Sequence, residues 1–159
     1  MAPFLDPAVD NSVDTIRASN DLLLLAILTT AARYANFSPD PSAAQPSWLH
    51  GSYHSLVRLV DQQLLRLITQ PNANDDSLQT IQALLILVHW CPLDREAGGC
   101  RSRFSESSWW NMMGLATRWA VHTGLERRAL QPFLNPDIQP TAEDVRAFRT
   151  WVYLVESDH

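Results

Sequence analysis

The chain has 159 residues and a formal net charge of −5, and all twelve of its basic residues are arginine. Without lysine it has no Schiff-base amine, no Walker lysine and no lysine-rich import run, and an acidic chain lacking a basic cluster is a poor nucleic-acid binder by itself. Hydrophobic residues make up 46 % of it, with six tryptophans, which argues against disorder of the whole chain and fits one domain with a real core.

Two cysteines, Cys91 and Cys100, stand in a polar loop; they read as ordinary reduced thiols, with a disulfide as the alternative. Met1 to Asp6 lacks the basic start and apolar run of a secretory signal. The longest apolar runs, Leu22 to Leu28 and Ala83 to Val88, fall far short of the ~20 residues of a membrane span. A soluble, intracellular chain is the expectation.

Residues 1–18 contain proline and aspartate and are expected to be loosely ordered. Ser19 or Asn20 can cap a first helix over 21–35, whose leucine run is buried. The loop that follows carries Pro39, Pro41 and Pro46. Ser47 then caps a second helix, Trp48 to Thr69. Leu49, Tyr53, Leu56, Val57, Val60, Leu64, Leu67 and Ile68 recur on its inner face, with Arg58, Asp61, Gln62 and Arg66 opposite. Asp75 and Asp76 favour the start of a third helix, Ser77 to Trp90, which is apolar nearly all round and belongs at the centre of a bundle.

After a polar loop, the fourth helix is the segment from Trp109 to Arg128. Trp109, Met112, Met113, Ala116, Trp119 and Ala120 form one stripe, and Trp110, Gly114 and Val121 a second apolar edge. Only Asn111, Arg118 and His122 leave a polar strip. Ser107 or Ser108 can cap this helix, Gly124 can end it, and Gly114 would let another helix approach closely. A connector over 129–140 holds Pro132, Pro136 and Pro140. Thr141 caps the fifth helix, with Glu143 and Asp144 in its first turn and Val145, Phe148, Trp151, Val152 and Val155 as an inner stripe. All ten prolines fall outside these five windows, and no stretch alternates with period two. The pattern predicts an all-α bundle of about five main helices with no sheet, its domain spanning 19–159.

Three stretches carry a family resemblance. Gly114-Leu115-Ala116-x-Arg118-x-Ala120-x-x-x-Gly124-Leu125-x-Arg127 resembles the signature helix of the fungal-specific transcription factor domain, the middle regulatory region of zinc-cluster (Zn2Cys6) regulators. Thr80-Ile81-Gln82-Ala83-Leu84-Leu85-Ile86-Leu87 is similar to an upstream helix of that family. Arg149-Thr150-Trp151-Val152-Tyr153-Leu154-Val155-Glu156-Ser157-Asp158 is similar to a downstream one. The resemblance covers roughly Asn20 to His159, and Glu126 departs from it where family members often carry histidine.

The resemblance implies an all-helical, non-catalytic regulatory domain in the nucleus. Its partners would be other parts of a full-length factor, transcriptional co-regulators or a small-molecule effector, with no membrane. Zinc and DNA binding would reside in a separate N-terminal module; this chain would bind no nucleic acid directly and hold no cofactor. The family domain continues with further helices, so the sequence reads as its front part, with a face for later helices exposed. The alternative left open is a generic helical protein-interaction scaffold unrelated to transcription.

Candidate chemistry is sparse. His50 and His54 stand at i, i+4 and would share a metal-facing side of the second helix, but no glutamate stands between them and a third ligand is lacking. They read as surface histidines. His89 suits the last carbonyls of the third helix. Asn111, Arg118 and His122 are the candidate effector or contact strip, set against ordinary polar groups that need partners. The Trp and Met residues of the fourth helix read as core rather than as a ligand groove. Nucleophile elbows, phosphate-binding glycine loops and paired carboxylates are missing from the pattern, so catalytic and metal residues are not expected.

Overall fold

The computed structural model describes residues 2–5, 13–34, 49–90, 93–94, 101–102, 106–135 and 137–157. Among them are α1 (Val13–Ser19), α2 (Asp21–Tyr34), α3 (Tyr53–Thr69), α4 (Leu78–His89), α5 (Glu106–His122), α6 (Leu125–Leu134) and α7 (Ala142–Ser157). The fold is all-α, as the periodicity predicts. Among the described residues the one extended feature is a two-residue antiparallel ladder, β1 (Leu93–Asp94) with β2 (Arg101–Ser102), in the loop between α4 and α5. Strands so short form no layer of their own.

The hub is α4. It packs against α2, α5 and α7, and every residue from Ile81 to Val88 is buried. α3 lies against α2, and α6 against α7. The main core joins Leu23, Ala26, Leu64, Leu84, Met113, Ala116, Ala129, Ala147 and Leu154; a smaller cluster of Ala32, Leu49, Tyr53 and Val57 sits between α2 and the start of α3. Met113 and Trp119 are both buried.

The caps are largely those expected. Asn20 Oδ1 accepts from the Leu23 N–H at 2.9 Å, and Asn20 Nδ2 donates to Thr80 Oγ1 at 3.0 Å and Ser77 Oγ at 3.3 Å. One asparagine therefore caps α2 and ties it to the capped start of α4. Thr141 and Asp144 exchange bonds at the start of α7: the Asp144 carboxylate accepts from the Thr141 N–H and hydroxyl, and Thr141 Oγ1 accepts from the Asp144 N–H. Those bonds hold the Asp144 carboxyl below its ordinary range. Gly124, at φ 65°, turns the chain out of α5 and directly into α6.

Several expectations are corrected. Residues 1–18 are not all loosely ordered: α1 is helical, and Phe4 is fully buried with its ring 4.9 Å from that of Tyr153. Its carbonyl accepts from Gln82 Nε2 at 3.1 Å, which fixes a short stretch that has no periodicity to read. The second helix begins at Tyr53, not Trp48, with Ser52 at its N-cap; Ser47 lies outside the described residues. Ile68 faces solvent: among the described residues, the helix packed most extensively on α3 is α2.

The fourth helix begins at Glu106, so Ser107 and Ser108 fall inside it. Its second edge is open: Trp110 is 70 % exposed and Val121 72 %. Among the described residues, a methyl added at Gly114 would meet only Arg118 Nη1, at 4.0 Å. Residues 125–134 form α6, with Pro132 inside it. The buried pair Leu125 and Ala129, one turn apart, draws this amphipathic segment onto the core despite the proline.

The inner face of α7 is Arg146, Ala147, Thr150 and Leu154, while Val152 and Val155 are 44 % and 39 % exposed. Small and polar residues face inward there because α7 is tied to α4: Gln82 Nε2 donates to Thr150 Oγ1 at 3.2 Å, while the Thr150 hydroxyl donates back within α7 to the Arg146 carbonyl at 2.9 Å.

Candidate contact and effector site

Asn111, Arg118 and His122 lie along one exposed stripe of α5, as spacings of seven and four residues require. His122 sits edge-on to the Trp119 ring, with centroids 5.6 Å apart, and its Nε2 is 3.3 Å from Asp76 Oδ1. Asp76 precedes the start of α4, so the strip is continued by an acidic group from another element. Both partners are at least half exposed, and such ion pairs contribute about 0–1 kcal/mol. The strip offers an amide, a guanidinium and an imidazole–carboxylate pair on an open surface, which suits contact better than enclosure.

Two recesses flank the signature stretch and the helix caps. One, of about 710 Å3, lies where α5 turns into α6 and is lined by Val121, Thr123, Gly124, Arg127, Arg128 and Gln131. Arg128 pairs with Glu143 of α7 across its edge. The other, of about 400 Å3, is polar and lies between α1, α2 and α3, with Arg17, Asn20, Gln63, Arg66, Asn72 and Asp75 on its wall. There Arg66 makes a two-pronged ion pair with the nearly buried Asp75, at 2.8 and 2.7 Å. Asp75 also accepts from the Asn72 N–H at 2.7 Å. The Arg66 hydrogen bonds hold the Asp75 carboxyl below the usual carboxylate range. Sequence reading put Arg66 on a solvated face and both aspartates at a helix start; spatial pairing across nine residues has no local signature.

The other candidates resolve differently. His50 precedes α3 and takes up the Ser52 N–H on its Nδ1 at 3.2 Å, while His54 lies within the helix, its ring 5.5 Å from that of Tyr53. The two do not share a helical face. Among the described residues no group of three or more His, Cys, Asp or Glu is placed to hold a metal ion. Cys91 and Cys100 lie outside the described residues. His89 Nδ1 lies 2.9 Å from the Leu85 carbonyl, in keeping with its expected place at the helix end, and Nε2 lies 3.1 Å from Ser157 Oγ, which joins the ends of α4 and α7. Among the described residues, no helix is long and apolar enough to cross a membrane.

No protein-family model, curated protein or solved structure matches the chain.

Proposed function

We propose that the chain is a non-catalytic regulatory domain of a fungal zinc-cluster transcription factor, acting in the nucleus. Control would run through contacts with the rest of the factor, with co-regulators or with a small-molecule effector. DNA binding and zinc would belong to a separate module. The observation that carries the reading is that the three resembling stretches share one core. Gln82 of the first, Ala116 and Ala120 of the second, and Thr150 and Leu154 of the third are all buried there or bonded across it. Their polar members, Thr80, Gln82 and Thr150, are used to lace helices together, which leaves Asn111, Arg118 and His122 as the surface for contacts.

A reporter assay tests this. The chain is inserted between a heterologous DNA-binding module and an activation domain. Output is expected to fall several-fold, and a triple alanine change at Asn111, Arg118 and His122 is expected to restore part of it. Output equal to that of a fusion without the insert would overturn the reading, as would zinc-dependent, sequence-specific DNA binding by the isolated chain.

A further inference from the structure

The polar recess of about 400 Å3 is walled by four separate segments: the end of α1, the start of α2, one side of α3 and the turn before α4. Small-molecule sites occupy roughly 300–1,000 Å3, so it is large enough for one. Asn20, Leu22 and Asp75 on its wall are buried, and the hydrogen bonds of Asn20 and Asp75 fix that wall in place. Those bonds and their neighbours also decide which groups stay available. Gln63 Oε1 accepts from Arg66 Nε at 2.9 Å, and Asn72 Oδ1 accepts from the Asn74 N–H at 3.0 Å. With both amide oxygens engaged, Gln63 and Asn72 have their NH2 groups left to offer. Arg66 spends Nε on Gln63 and one N–H of each terminal nitrogen on Asp75; its other two N–H groups take no partner among the described residues. The wall is therefore rich in donors, which suits a carboxylate.

The charges set a second condition. Arg17 and Arg66 stand against Asp21 and Asp75, so the recess is neutral as a whole. Arg66 and Asp75 neutralise each other. Arg17 and Asp21 are both exposed and, among the described residues, neither makes an ion pair. They belong to different helices, with the break at Asn20 between them. The Arg66 guanidinium is held above its ordinary range, first by the Asp75 hydrogen bond and in smaller part by the charge of Asp21, so Asp21 stands near the donors. A plain anion bound there would meet Asp21, and a plain amine would meet Arg17 and the unused Arg66 N–H groups. A molecule that carries both charges on one carbon meets neither penalty.

We infer that this recess binds a free α-amino acid with a small or polar side chain: Arg17 and the unused Arg66 N–H groups hold the carboxylate, Asp21 holds the ammonium, and the Gln63 and Asn72 amides face the side chain. Among the described residues its wall has two apolar side chains, Ala18 and Leu22, too few for a bulky aliphatic group. The inference stands on the recess alone and is independent of the proposed transcriptional role.

Calorimetric titration of the whole chain with L-serine, L-asparagine and L-glutamine tests it. At least one is expected to bind one-to-one. The analogue of that amino acid without its carboxylate, and the one without its amine, are each expected to bind about tenfold more weakly or worse, since each loses a charge-assisted hydrogen bond. Arg17→Gln and Asp21→Asn remove one charge each and leave the Arg66–Asp75 pair in place; both are expected to weaken binding by a similar factor. Circular dichroism shows whether each variant stays folded, and the analogues, used on the unaltered chain, keep the test decisive where one does not. No heat of binding from any of the three at millimolar concentration overturns the inference. So does binding that an analogue lacking one charge reproduces, or that both folded variants retain in full.

Discussion

Asp75 shows how much a single residue can hold. It closes the turn before α4 through the Asn72 N–H and receives both arms of Arg66. Its folded carboxyl is held below the unfolded value, so the ionised form stabilises the fold at neutral pH. That contribution is fully present above about pH 4 and is lost as pH falls through the lowered folded value. Asp75→Asn is expected to cost about 1.5–3 kcal/mol at pH 7. Urea unfolding at descending pH should show the gap from wild type closing below pH 4; a gap that stays constant into strong acid would refute the assignment.

Gly114 makes the opposite case. Its place in an apolar edge suggests a close helix contact, yet among the described residues an added Cβ would meet only Arg118 Nη1 at 4.0 Å. Gly114→Ala should therefore raise stability by roughly 0.5–1 kcal/mol through helix propensity alone, seen as a higher Tm. A loss would mean that a neighbour does approach there.

At the scale of elements, caps were legible because they are local. Asn20, Thr141 and Gly124 act where the sequence marks them, while Ser77, read as the first residue of its helix, is its N-cap. Asn20 does more, since its amide reaches a second helix. Asn20→Ala is expected to cost about 2 kcal/mol or more, a cap plus a buried hydrogen bond. Asn20→Asp would keep the cap but lose the donor to Thr80, and should fall between; equal stability of the two variants in thermal melts would show that the link to α4 contributes nothing.

What escaped sequence reading at this scale has a common cause. Prolines read as boundaries, yet the buried Leu125 and Ala129 hold α6 together around Pro132. Hydrophobicity alone puts Val152 on the inner stripe of α7, whereas a helix drawn close to α4 buries Ala147 and Thr150 and leaves the larger Val152 outside. Close approach rewards small residues and hydrogen bonds, and a hydropathy pattern ranks both low.

For the whole molecule, the central position of α4 and the all-helical class followed from an apolar pattern without alternation. The insertion of Phe4 between α4 and α7, and the pairing of Asp76 with His122, did not, because each joins residues far apart in the chain. The candidate strip was thus visible as a polar stripe, but its acidic neighbour was not.

Among the described residues, Gly124 is the one with a positive φ. Every other bend here can be made by an ordinary L-amino acid, while this corner favours the one residue without chirality. A methyl group at position 124 would strain the bend and leave a straight continuation unstrained. The missing side chain thus favours two arms over a single rod across 106–134, by the ~1–2 kcal/mol that a side chain costs in the left-handed region.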